Sequence, residues 1–214
     1  MKNTIKKNTL TIKDFCTNHN DKMENMISIS TSPMVNRLCP LHAACKNAVC
    51  GDCYSRKMAK RFTNLDKKLI RNYELLRSQI IAVADMPILN ASICRIEAFG
   101  DIDNINQVVN YFNLCKRNKN TTFAMWTKNP AIINTAIKTG NAKPKNLIII
   151  QSSLYKNICD PVKYDFIDKT FTVWNDQETA AKNGIKINCG KLHCINCQKC
   201  YKKNTTKIIN ELLK

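Results

Sequence analysis

Glycine is scarce in this chain, with five in 214 residues. A loop that cradles nucleotide phosphates on its backbone needs several residues without a Cβ in one turn, so a glycine-rich nucleotide site is not expected. No Ser/His/Asp order and no zincin helix is visible either. Long apolar runs are missing: no stretch approaches the roughly 20 residues of a membrane span. Met1 to Phe15 is charged and polar without an apolar core, so a secretory signal is not expected and a cytoplasmic, reduced protein is. Acidic residues are also few, 16 Asp and Glu against 34 Lys and Arg.

Cysteine is the exception, with twelve in the chain. Eight fall in two bursts, Cys39, Cys45, Cys50 and Cys53, then Cys189, Cys194, Cys197 and Cys200. Thiolates two residues apart converge on one centre because a tight turn points both sulfurs the same way, and Cys194-x2-Cys197-x2-Cys200 does this twice. A disulfide scaffold needs an oxidising compartment and a chain too small for a core; at 214 residues neither condition is expected. The eight cysteines are therefore read as metal or cluster ligands. Structural zinc normally combines two separated Cys-x2-Cys knuckles. Three cysteines in seven residues match instead the opening of a ferredoxin-type loop, whose remote fourth ligand is often followed by proline, as Cys39 is by Pro40. Spacing thus favours one or two 4Fe-4S clusters over zinc, and one composite cluster fed by both bursts stays open. The Cys-x3-Cys-x2-Cys motif of radical S-adenosylmethionine enzymes is absent, because Cys45-x4-Cys50-x2-Cys53 is one residue too long. His19, His42 and His193 lie near the bursts, and His193 is the best substitute ligand. Cys94 and Cys115 fall on apolar faces and read as small core residues.

The formal charge of +18 makes a nucleic acid or other polyanion the default partner. Only seven of the basic residues are Arg, the better group for bidentate phosphate contacts, and a Lys/Asn background also arises from AT-biased coding. Two 4Fe-4S clusters, each 2 − 4 = −2 with four thiolates, would leave the chain strongly basic.

Residues 1–25 have few apolar positions and read as a flexible arm, with order beginning at Ile27 in a single α/β domain, residues 26–214. Strands are expected at Met26 to Ser30, Ile93 to Phe99, Thr122 to Thr127, Leu147 to Gln151 and Thr170 to Trp174. Between them the 3.6-residue period predicts helices at Tyr54 to Arg61, at Leu65 to Ala84, and along Ile105, Val108, Val109, Phe112 and Cys115. Asn129, Pro130 and Gly140 punctuate another. A helical stretch is expected near Gln177 to Asn183, and Ile208, Ile209, Leu212 and Leu213 predict a C-terminal amphipathic helix. Alternating strands and helices argue for a largely parallel sheet curled into a full or partial (β/α) barrel, with cysteine loops at the C-terminal ends of the first and last strands.

Strand periodicity puts Cys94, Ile96 and Ala98 on one face of Ile93 to Phe99, and Arg95, Glu97 and Phe99 on the other. Arg95 and Glu97 would then point inward, as a ligand site or as a plain ion pair. Asp101 follows Gly100 at the strand end, placed to address a ligand or to cap the next helix. Lys128, after Trp126 and Thr127, is similarly placed for a phosphate or carboxylate. If the protein is an enzyme, these four are its candidate catalytic residues and the substrate is anionic.

Cys39-Pro40 with Cys45 and Cys53-Tyr54, Arg95-Ile96-x3-Gly100-Asp101, Thr127-Lys128 after an aromatic, and the terminal four cysteines resemble the phage gene product 88 family, in matching order over residues 27–214. The resemblance implies a phage- or mobile-element-encoded, barrel-type protein thought to bind iron-sulfur clusters in a bacterial host cytoplasm. Three positions depart from the pattern: Glu97 stands where a histidine is expected, Trp126 where a tyrosine is, and Cys50 is additional. A non-enzymatic zinc- or cluster-stabilised nucleic-acid-binding protein is the alternative.

Overall fold

A computed structural model of the chain describes residues 11–19, 21–203 and 205–213. Its elements in chain order are α1 (Ile12–Phe15), β1 (Thr17–Asn18), β2 (Ile27–Ile29), α2 (Leu38–Ala44), α3 (Tyr54–Arg61), α4 (Thr63–Ser78), β3 (Ile93–Ile96) and α5 (Ile105–Arg117). They continue with β4 (Thr122–Thr127), α6 (Pro130–Lys138), β5 (Leu147–Ser152), β6 (Lys169–Trp174), α7 (Gln177–Lys182), α8 (Cys194–Cys197) and β7 (Ile208–Leu212). The architecture is mixed α/β, one seven-stranded sheet ordered β1-β2-β3-β4-β5-β6-β7. β1 pairs antiparallel with β2, and every other pairing is parallel.

The two faces of the sheet are covered differently. On one face Cys94, Ile96, Phe123, Met125, Leu147 and Ile149 form the larger core with Leu76 of α4, Tyr111, Phe112 and Cys115 of α5, and Ile133 and Ala136 of α6. α5 packs between α4 and α6, and fully burying a side chain such as Phe112 contributes roughly 1.5–3 kcal/mol. On the other face Ile93, Ala124, Trp126, Ile148, Ile150 and Ile209 pack against Tyr201, with Cys189, Cys194, Ile195 and Cys200 partly buried against them. Here the covering layer is the second cysteine segment. A parallel pair requires a crossover; between β6 and β7 this segment supplies most of it.

Three expectations change. Composition suggested an arm up to residue 25, yet Phe15 and Cys16 are core residues and β1 extends the sheet; residues 1–10 lie outside the described residues. α4 ends at Ser78, well short of Ala84. Asn110 of α5 stops it: its Nδ2 donates to Leu76 O at 2.8 Å and Gln79 O at 2.7 Å, while its Oδ1 accepts from Ile81 N at 2.7 Å. Ile208 to Leu213 does not form the expected amphipathic helix; Ile208–Leu212 is β7, paired along five positions of β6. The second cysteine burst therefore precedes the last strand instead of following it. No helix among the described residues is long and apolar enough to cross a membrane.

Candidate metal centre

Cys194 and Cys197 sit on the single turn α8. Gln198 then adopts a left-handed conformation, φ 50°, and reverses the chain into a 3-10 turn, Lys199–Tyr201, which carries Cys200 back over the sheet. Cys189 is stitched to β7, its N–H donating to Asn210 O at 3.0 Å. Tyr201 anchors the segment edge-on to Trp126, with centroids 6.3 Å apart. All four cysteines line one cavity of about 970 Å³. Burial pushes the Cys200 thiol up to about 12, reinforced by the negative charge that Cys189, Cys194 and Cys197 carry when ionised and opposed by Arg95. Burial likewise raises Cys194, with Lys22 and Arg95 opposing.

Cations surround this set. Lys22 Nζ donates to Cys189 Sγ at 3.0 Å and Glu211 Oε1 at 2.5 Å. The Arg95 guanidinium lies 4.1 Å from the Trp126 ring centroid and donates to Met23 Sδ at 3.4 Å; among the described residues its buried Nε has no hydrogen-bond partner. Burial works against the Arg95 charge, and the groups that outweigh burial are Tyr54, Tyr201, Cys194 and Cys200, none of them a carboxylate. Lys169 is 2% exposed. Its Nζ donates to Thr205 Oγ1 at 3.2 Å and Thr206 O at 2.9 Å. Burial lowers its pKa, and Cys200 is the leading opposing charge.

The first burst occupies the loop after β2. Cys39 lies on α2 and Cys50 on a 3-10 turn, Val49–Asp52. This loop spans from β2 across the sheet order to the loop after β5: Val49 N donates to Leu154 O at 2.9 Å, Lys156 N to Asn47 O at 3.1 Å, and Lys156 Nζ lies 2.8 Å from Asp52 Oδ2. Burial raises the Cys39 thiol above the ordinary range, helped by Asp101, Cys50, Cys53 and Glu97. Burial also raises Cys50, against Lys128 and with Cys53, Asp101 and Cys45. The other thiols that act on each of these buried thiols belong to its own burst.

Among the described residues, no group of three or more His, Cys, Asp or Glu is arranged to hold a single metal ion. The sequence model of the family described as gene product 88 matches residues 2–211. The chain belongs to the gene product 88 family. No curated protein and no solved structure matches it.

In this gene product 88 protein the four polar candidates separate. Asp101 and Lys128 stay with the first burst. Asp101 Oδ1 accepts from Thr127 Oγ1 at 2.7 Å and Ile102 N at 2.8 Å, and Oδ2 from Lys128 N at 2.9 Å, tying the loop after β3 to the end of β4. Burial raises its pKa against the pull of Lys128. Helix capping falls to Asn104 instead, which accepts from Gln107 N at 2.9 Å. Lys128 Nζ donates to Ser152 Oγ at 3.3 Å.

Arg95 belongs to the second burst, and Glu97 does not face it. With φ 55°, Glu97 leaves the strand alternation and turns toward α5. Its carboxylate accepts from Tyr111 OH at 2.5 Å, Gln107 Nε2 at 2.7 Å, Thr31 Oγ1 at 3.0 Å and Thr31 N at 3.1 Å. Burial lifts its pKa to about 7, partly offset by these donors. His19 is half-buried and stacks on Phe99, with ring centroids 5.7 Å apart. Lys22 and Lys169 were not singled out from the sequence. The one local signal was Lys169 opening an otherwise β-branched and aromatic strand.

Proposed function

We propose that this chain is a phage-type iron-sulfur protein, with a 4Fe-4S cluster held by Cys189, Cys194, Cys197 and Cys200 and a second by Cys39, Cys45, Cys50 and Cys53. The observation that carries the reading is the cavity lined by four cysteines, with Arg95 and Lys169 near enough to act on its thiols and, among the described residues, in ion pair with no carboxylate. Neutral thiols do not compensate a buried cation. A 4Fe-4S core in its 2+ state with four thiolates carries 2 − 4 = −2, matching the +2 of Arg95 and Lys169. Zinc with four thiolates carries the same charge, so the choice rests on the Cys-x2-Cys-x2-Cys spacing.

When bound, such a cluster supplies redox or Lewis-acid chemistry. The chain's own residues do the rest: Trp126 and Tyr201 exclude water from one side, Arg95 and Lys169 neutralise charge, and Lys22 holds Cys189 in place. Asp101 and Lys128 beside the first burst would orient an anionic substrate. We also read the sheet as a partial barrel, since Lys22, just beyond β1, reaches Glu211 on the far edge strand β7. A zinc- or cluster-stapled nucleic-acid-binding protein is the second reading, favoured by the +18 charge.

Protein purified without oxygen is expected to be brown and to contain iron and acid-labile sulfide, with about half of each lost in the paired variant Cys197→Ser/Cys200→Ser. Colourless, zinc-loaded protein, or failure to take up iron and sulfide on reconstitution, overturns the iron-sulfur reading.

A further inference from the structure

The outward face of α3 carries Tyr54 and, three, six and seven residues further on, Lys57, Lys60 and Arg61, while Ser55 and Ala59 are buried beneath. Phe62 follows directly, with the Arg61 guanidinium 5.3 Å from its ring centroid. Tyr54 and Phe62 are 51% and 44% exposed. The Tyr54 ring is held in place, its hydroxyl donating to Ala98 O at 2.5 Å. No acidic residue occurs between Cys53 and Leu65, and among the described residues none of Lys57, Lys60 and Arg61 forms an ion pair.

We propose that this face is a docking surface for single-stranded nucleic acid. Three unpaired cations in two helical turns match a phosphate backbone, and two exposed rings, that of Tyr54 anchored through its hydroxyl, offer stacking platforms that only unpaired bases can reach. An anionic membrane would match the charge, but an interfacial helix buries an apolar face in the lipid, and the exposed positions of α3 after Tyr54 are the cations Lys57, Lys60 and Arg61. Cys53 immediately precedes α3, so the bound strand lies beside the first cysteine burst. The proposal does not depend on what the cysteines bind.

The test is binding of fluorescent single-stranded DNA and RNA 15-mers to the full chain over a salt series, with metal content measured in every sample. Lys57→Ala/Lys60→Ala/Arg61→Ala is expected to flatten the slope of log K against log salt by about 2, at about 0.7 per contact for a single strand. Phe62→Ala is expected to weaken binding roughly tenfold with little change in slope. The control Lys116→Ala/Arg117→Ala/Lys119→Ala, at the exposed C-terminal end of α5, is expected to leave both unchanged. The proposal is overturned if the control flattens the slope equally, if duplex competes as well as single strand, if Phe62→Ala has no effect, or if the chain prefers anionic vesicles to either nucleic acid. Unchanged metal content separates these outcomes from failure of the iron-sulfur reading.

Discussion

Glu97 and His19 should give the protein two opposed pH dependences that hide each other. Glu97 is held at about 7 against an ordinary 4.5, chiefly by burial. The folded state therefore keeps a proton that the unfolded chain releases. The resulting stability is complete below about 4.5 and is lost as pH rises through about 7; at 1.36 kcal/mol per unit the full swing is about 3 kcal/mol. His19 is held at about 4 against an ordinary 6.5, by burial first and the Arg95 cation second. Here the unfolded chain takes up the proton, so stability is complete above about 6.5 and is lost as pH falls through about 4. The swing is of the same order, reduced by the solvent that reaches a half-buried ring. Urea unfolding with reductant present, at steps from pH 4.5 to 7.5, reads both. In Glu97→Gln the Glu97 contribution is gone, so stability should climb more steeply with pH than in the parent chain. In His19→Phe, which can keep the stack on Phe99, stability should instead fall as pH rises. Absolute stability will drop in Glu97→Gln because an amide N–H₂ faces the Thr31 N–H, and the slope, not the midpoint at one pH, is the readout. Identical slopes in Glu97→Gln and the parent would refute the assignment of a protonated carboxyl to this site.

Arg95→Met should separate the metal-free and metal-loaded proteins. Without metal it removes a cation whose buried Nε has no partner among the described residues, so the urea midpoint should rise; after reconstitution, iron per chain should fall, and unchanged iron would show that the guanidinium balances no charge there. Gly100→Ala tests crowding at the end of β3, where a Cβ would meet Thr31 Oγ1 at 2.4 Å, Thr31 O at 2.6 Å and Glu97 Oε2 at 3.0 Å. Because one neighbour is backbone, a loss of about 3 kcal/mol is expected in chemical unfolding, and a loss under about 1 kcal/mol would mean the loop yields freely.

The parts of the fold written in local periodicity could be read from the sequence. β4 and β5 are apolar and buried on both faces, and α6 begins at Pro130 and stops before Gly140, whose φ is 94°. Non-local pairing could not be read. Ile208, Ile209, Leu212 and Leu213 carry a helical spacing, yet the segment is a strand because β6 offers it a full ladder and Asn210 accepts from Trp174 Nε1 at 3.0 Å. At the site, the tight turns that bring Cys194, Cys197 and Cys200 to one cavity were legible because they are local. The division of Arg95 from Glu97 was not, because a single residue at positive φ reversed the alternation on which the pair was read.

The shortage of glycine has a structural counterpart in asparagine, so the Lys/Asn background is more than coding bias. Asn25, Asn47 and Asn157 take left-handed conformations, with φ 61°, 62° and 63°, where glycine is the usual choice. Others close backbone ends that caps would otherwise serve. Asn146 Nδ2 lies within bonding distance of Cys115 O at 3.1 Å, Asn118 O at 3.0 Å and Thr121 O at 2.9 Å, and Asn72 Nδ2 reaches Phe15 O at 3.0 Å and Ser30 O at 3.1 Å. An asparagine in a turn restricts the unfolded chain more than glycine does and adds a side chain that can bond nearby backbone. That matters most at the cysteines. Asn47 lies between Cys45 and Cys50 and Asn157 in the loop that pairs with it, while Asn188 bonds Asn210 beside Cys189. In the first loop, left-handed Asn47 accepts from Lys156 N, and left-handed Asn157 in the facing loop donates to Val173 O of β6, so these turns are fixed without glycine; the second loop turns instead at left-handed Gln198 and at Gly190, φ 120°.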